Sequence, residues 1–110
     1  STLSDEGTKT NIQDLKDSLS KINVKEIAAK IRPVTFEYKA SAEAIDPKAK
    51  PGVEHVGVIA QDLEKTALSP AVKTGDDGFK RIDIAELTPA LLNMIIQMQN
   101  EINELKRGTK

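Results

Sequence analysis

Ser4 and Lys9 stand five positions apart in the opening stretch Ser-Thr-Leu-Ser-Asp-Glu-Gly-Thr-Lys. A serine hydroxyl is a weak nucleophile at neutral pH and needs a base beside it. A lysine amine serves as that base when burial or nearby positive charge lowers its hold on the proton. Gly7, between the two, would let the segment turn back so that hydroxyl and amine meet. Ring size then selects a bond. Ser4 Oγ reaches the carbonyl of Leu3 through a five-membered ring, an acyl shift from nitrogen to oxygen that water resolves. Attack on its own carbonyl would need a strained four-membered ring. Scission within one chain is therefore expected between Leu3 and Ser4, whereas a neighbouring chain's serine could cut elsewhere, including just after Ser4. Spacing alone does not single out this pair. With six serines and thirteen lysines such a separation arises by chance, and Ser20 and Lys25 repeat it. A solvated polar arm is the competing reading. The donors that would hold an oxyanion do not follow from the sequence.

His55 is the only histidine. At the start of an apolar run it is a candidate alternative base or a group that orients Ser4; a hydrogen-bonded core histidine is the plainer reading. Gln61 suits a buried amide or the first turn of a helix. One histidine and no cysteine exclude disulfides, thiolate metal sites and a histidine-built metal centre, so neither metal nor cofactor is expected.

The elements that must position these groups come from a chain of 110 residues, one domain or a piece of a longer chain. Charged residues make up 30% and nearly cancel, for a net charge of -1. That balance lacks the footprint of a protein that binds nucleic acid or an anionic membrane. No apolar run has membrane-spanning length, and no signal peptide is visible. The apolar residues are nearly all aliphatic, with Phe36, Tyr38 and Phe79 the only aromatics. A core this poor in large rings points to completion against other chains.

Residues 1–10 carry Gly7 and five Ser/Thr and read as an arm. Ile12, Leu15, Leu19 and Ile22 then fall on one helical face, with Thr10 or Asn11 as cap. Asn23-Val24 breaks the register, and a second helical piece through Ile27 and Ile31 stops near Arg32, ahead of Pro33. Strict alternation predicts a half-buried strand over 34–39, with Val34, Phe36 and Tyr38 on one face. Residues 40–53 read as a mobile loop or projecting arm, 55–60 as a more fully buried strand, and 61–68 as helical turns. Val72-Lys73-Thr74, Gly-Asp-Asp-Gly and Phe-Lys-Arg-Ile-Asp-Ile read as a hairpin. Asp83 would cap a long helix over 84–107, with Pro89 near its first turn. Leu91, Ile95, Met98, Ile102 and Leu105 recur at intervals of four and three, a heptad seam. Leu87, Leu92, Met94 and Ile96 widen the apolar face in the first half, so part of the helix is expected on the domain and its tail on copies of itself. A single amphipathic helix docked on its own sheet is the alternative. The heptads imply an oligomer without its number, although Ile at a-type and Met or Leu at d-type positions leans towards two strands.

Taken in order, Ser-Asp-Glu-Gly-Thr-Lys, Lys-Ile-Arg-Pro-Val-Thr-Phe-Glu-Tyr-Lys, Gly-Val-Ile-Ala-Gln-Asp and the terminal helix resemble one family along nearly the whole chain. It is the C-terminal intramolecular chaperone domain of phage tailspikes and tail fibres, the Ser-Lys self-cleaving peptidase family S74. Asp62 stands where that family usually has Glu. The resemblance implies an α+β fold: an N-terminal arm and helix, a small antiparallel sheet with a hairpin, and a long C-terminal helix forming a trimeric helical bundle. It also implies a homotrimer that registers the upstream fibre segment of the same polypeptide and then cuts itself free. Residues 1–3 would end that upstream segment and 4–110 would be the chaperone domain, with the 40–53 arm gripping the client. Ser4 would be the nucleophile and Lys9 its base; Asp5 matches the motif with no derivable role. The trimer interface would be Leu91, Ile95, Met98, Ile102 and Leu105, and the setting the host cytoplasm during virion assembly, with release from the mature fibre after the cut.

Overall fold

A computed structural model describes residues 3–15 and 22–108. Asn23 opens the first helix, α1 (Val24–Lys30), its side-chain oxygen accepting from the backbone N–H of Lys25 and Glu26 at 3.0 and 3.3 Å. The register break read at this position is thus a helix cap. Ile31 turns extended, as the approach to Pro33 requires, and β1 (Val34–Phe36) begins.

β1 pairs antiparallel with β2 (His55–Gly57), placing Val34 opposite Gly57 and Phe36 opposite His55. Both strands are shorter than the sequence suggests. Tyr38 leaves the ladder and makes an isolated bridge to Pro51. β2 is not fully buried: Val56 is 79% exposed, since only one face of this two-stranded sheet has anything to pack on. On the covered face the Phe36 ring lies over Gly57, where a Cβ would approach it at 3.1 Å. Between the strands, residues 40–53 hold a 3-10 turn (Ala40–Ala44), an Asp46-capped turn and a buried Ala49. That segment thus has local structure of its own, with Ala49 N–H donating to Asp46 O at 2.9 Å.

α2 (Ala60–Glu64) carries Leu63 inwards. Buried Thr66 ends it, donating from Oγ1 to Leu63 O at 2.8 Å and accepting from Leu68 N–H at 3.1 Å. A 3-10 turn (Ser69–Ala71) leads into β3 (Val72–Thr74), which pairs with β4 (Lys80–Ile82) as the predicted hairpin. At its tip Gly78 adopts φ +83°, a conformation costly to other residues. Arg81 forks onto both carboxylate oxygens of Asp77 at 2.8 and 3.1 Å, in space that a Cβ at Gly75 would occupy. The fork, helped by the Phe79 N–H, lowers the Asp77 pKa to about 2. A depressed acid stabilises the fold above its ordinary pKa, and that contribution disappears as pH falls through about 2. Arg81→Ala should return the Asp77 titration to roughly pH 4, read from its carboxyl chemical shift; an unmoved midpoint would mean that the fork is not its cause.

The last element, α3 (Ile84–Gly108), starts where Asp83 accepts from the Glu86 N–H at 3.2 Å. Pro89 is its sixth residue, inside the helix and past the first turn. Leu87, Ala90 and Met94 pack on Ile22, Leu63, Leu68 and Ala71, with Val24, Ile27, Ile31, Val58, Val72 and Ile82 around them. This is the main core cluster among the described residues. Beyond Met94 no described residue of α3 is buried. The chain is α+β as expected, with two small antiparallel sheets and a long C-terminal helix.

The predicted helix over Ile12–Ile22 is corrected in its first part. Residues 11–15 are not helical, Asn11 has φ +54°, and Ile12 and Leu15 are exposed. An amphipathic helix draws most of its stability from burying a face, and these two residues find none in a single chain. Residues 16–21, including Leu19, lie outside the described residues. Ile22 is buried, 1% exposed.

Candidate functional site

The arm turns back as Gly7 suggests. Lys9 Nζ donates to Ser4 Oγ at 2.8 Å. Residues Glu6–Thr8 form one 3-10 turn, closed by Thr8 N–H to Asp5 O at 3.0 Å and Lys9 N–H to Glu6 O at 3.2 Å. Asp5 holds its start. Its carboxylate accepts from Gly7 N–H at 2.7 Å, and its carbonyl also accepts from Thr8 Oγ1 at 2.6 Å. This is the role that sequence reasoning missed: an Asp followed two residues later by a Gly N–H is a local turn signal in its own right. One tight turn converts a five-residue separation into a hydroxyl–amine contact. Ser20–Lys25 supplies no comparison, since Ser20 lies outside the described residues.

Every described residue from Leu3 to Leu15 is exposed, the dyad included, and Leu3 is 76% exposed. The pair is therefore formed but wet in the single chain. Serine and amine are in reach for proton transfer, while water competes for both.

His55 sits elsewhere, on β2. Its ring stacks on Phe36 at 5.5 Å and meets Tyr38 edge-on at 5.0 Å, and those two rings meet each other at 5.1 Å. Its Nε2 is buried with no hydrogen-bond partner, and no bond joins it to Ser4 among the described residues. Leaving a buried nitrogen unpaired costs about 1–3 kcal/mol, offset here by packing within the chain's main aromatic cluster. Gln61 is exposed in the first turn of α2, the second of its two sequence readings.

The heptad residues form one open apolar stripe. Leu91, Ile95, Met98, Ile102 and Leu105 are 42%, 62%, 43%, 45% and 69% exposed, and Leu92 and Ile96 beside them 56% and 58%. Leu87 and Met94, read as widening the same face, instead turn onto the body. No group of three or more potential metal ligands occurs among the described residues, and no helix there is long and apolar enough to cross a membrane.

The Peptidase S74 family model, described as the chaperone of endosialidase, matches residues 4–73, more than half of the chain. The match takes in the arm, both strands of the first sheet and α2, and stops within β3, ahead of α3. No curated protein matches the chain.

Proposed function

The chain belongs to the Peptidase S74 family, the chaperone of endosialidase, a family of intramolecular chaperones, and from that premise we propose that it registers three copies of a phage fibre or tailspike and then releases itself by one cut between Leu3 and Ser4. The observation that carries the cut is the 2.8 Å contact of Lys9 Nζ with Ser4 Oγ in an arm shaped by Asp5. The neutral Lys9 amine takes the Ser4 proton as Oγ adds to the Leu3 carbonyl carbon. The Leu3–Ser4 C–N bond breaks, the Ser4 nitrogen receives the proton from Lys9, and Leu3 is left as an ester on Ser4 Oγ. Water hydrolyses that ester to a Leu3 carboxylate and a free Ser4 hydroxyl. The domain then has no further substrate, so it turns over once.

Exposure of the dyad fits a cut that waits for assembly. Covering the arm with the upstream segment or a neighbouring copy would exclude the water that now surrounds the amine. The exposed stripe of α3 is the surface through which three copies would associate, and the segment around 40–53 is the part proposed to touch the client. Partners would be two further copies and the upstream fibre segment, with neither nucleic acid nor membrane, in the host cytoplasm during virion assembly.

A cap that associates without cutting is the second reading, favoured by that same exposure of Ser4 and Lys9. The mass of a longer polypeptide bearing its native upstream segment separates the two after folding. A fragment beginning at Ser4 is expected; a polypeptide that stays whole leaves only the cap. In the cutting protein, Asp5→Ala should slow release about two- to thirtyfold, the range of a lost cap. Asp5→Asn, which caps equally well, should stay near the parent rate. Equal slowing by both would assign the carboxylate charge, not the turn, to the reaction.

A further inference from the structure

The proposed cut uses up the domain's own peptide substrate, and it also changes the chemistry of one nitrogen. Cleavage between Leu3 and Ser4 makes Ser4 the first residue, so its amide nitrogen becomes a free amine beside its own hydroxyl. Every bond that shapes the turn lies beyond that point. Gly7 N–H donates to the Asp5 carboxylate at 2.7 Å, Thr8 N–H to Asp5 O at 3.0 Å, and Lys9 N–H to Glu6 O at 3.2 Å. Loss of residues 1–3 removes none of these bonds, and Lys9 Nζ keeps its reach to Ser4 Oγ, 2.8 Å away.

The new amine meets a need that the exposed arm leaves open. A lysine amine in water keeps its proton at neutral pH, and every described residue from Leu3 to Leu15 is exposed. An α-amine gives up its proton at about pH 7.7–8.0, so it serves as a base in water without burial. We propose that the released domain, beginning at Ser4, is an N-terminal nucleophile that accepts one acyl group from activated esters. Ser4 Oγ attacks, the Ser4 α-amine is its base, and Lys9 supplies positive charge and a donor beside the reacting oxygen.

The neutral α-amine takes the Oγ proton as Oγ adds to the acyl carbon. The bond from that carbon to the leaving oxygen breaks, and the leaving group departs as its anion. The α-ammonium then gives its proton to water, and the amine attacks the new ester through a five-membered ring. The bond between carbon and Oγ breaks, Oγ regains a proton, and the acyl group rests on the Ser4 nitrogen as an amide. Such a ring closure outruns water because both ends are already together. The reaction therefore stops at one acyl group per chain. An exposed arm selects for a good leaving group and not for the shape of the acyl chain.

The site rests on the proposed cut, which would place Ser4 first in the natural protein, but a chain of residues 4–110 tests it separately. The probe is p-nitrophenyl acetate at about pH 7.5, just below the α-amine range. Mass spectrometry should find one acetyl group on Ser4 well before the thirteen lysines react. Ser4→Ala, which keeps the α-amine, should slow acetylation of the first residue at least about tenfold. Lys9→Ala should slow it by a similar factor, at least about tenfold, and Lys9→Arg should restore most of the rate because arginine keeps charge and donor. The cut needs Lys9 to accept a proton, so the same Lys9→Arg change should lose it; one substitution separates the two reactions. Equal acetylation of the parent and Ser4→Ala chains would mean direct attack by the amine, and overturns the nucleophile. Lys9→Ala reacting like the parent overturns the part given to Lys9. Acetyl groups spread over the lysines with none favoured at Ser4 overturn the site and leave the cut standing. A natural fragment that does not begin at Ser4 overturns the cut, and with it this site in the natural protein.

Discussion

Replacing Ser4 with alanine is expected to leave a polypeptide with its native upstream segment whole after folding, with association unchanged. The nucleophile is the atom that forms the new bond, and removing such a group costs about a thousandfold or more in rate. Lys9→Ala should have a comparable effect, because an unassisted hydroxyl does not attack an amide at neutral pH. Lys9→Arg is the sharper variant: it keeps the positive charge and a donor to Ser4, yet arginine does not give up its proton. If Lys9→Arg still cuts, Lys9 orients the hydroxyl and another group takes the proton. If Ser4→Ala and Lys9→Ala both cut at the parent rate, the dyad has no part in release. Folding should be indifferent to all three changes. Exposed substitutions away from caps and cores usually stay within about 0.5 kcal/mol, and both side chains are exposed. Sedimentation and mass are thus independent readouts, one for chaperone assembly and one for the cut.

Leu63→Ala should remove a large share of the domain's stability. Leu63 is 1% exposed in the cluster that joins α2, the Ser69–Ala71 turn and α3, and few other large side chains are fully buried there. Truncating a buried leucine costs about 2–5 kcal/mol, the larger figure where the surroundings cannot collapse. Domains of this size hold only about 5–15 kcal/mol in all. Urea or thermal unfolding at fixed protein concentration measures the loss, because association itself adds apparent stability. Val56→Ala is the control, a comparable truncation at a site 79% exposed, with an expected change within about 0.5 kcal/mol. A Leu63→Ala protein that unfolds like the parent would mean that the core lies in the contacts between copies.

Local chemistry was legible where the chain settles it locally. The β3–β4 hairpin followed from turn residues at its tip, the end of α1 from Pro33, and α3 from its period and Asp83. The Ser4–Lys9 contact was legible as a possibility and took shape through Asp5, whose turn was in the letters but was passed over as a motif match. Burial was harder to read. Val56 looked buried because apolar runs do not say which face of a sheet is covered, and Ile12 and Leu15 looked helical because periodicity does not say whether a surface waits for them. Leu87 and Leu92 look alike in sequence, yet one turns to the body and the other to solvent, a distinction made by the 3-10 turn Ser69–Ala71 that α3 packs on. His55 was found with Phe36 and Tyr38 because cross-strand pairing, not sequence distance, chose its neighbours.

The order of arm and helix has a consequence during synthesis. A ribosome completes the turn from Ser4 to Lys9 roughly a hundred residues before the end of α3, which at ~5–20 residues per second is on the order of ten seconds. Throughout that interval hydroxyl and amine are both present on the nascent chain, and a dyad competent on contact would sever polypeptides still being made. Under the proposed function, a pair that stays solvated until copies of α3 associate would act only once α3 has been made. On that proposal, a chain stopped short of α3 would keep Ser4 and Lys9 and remain uncut.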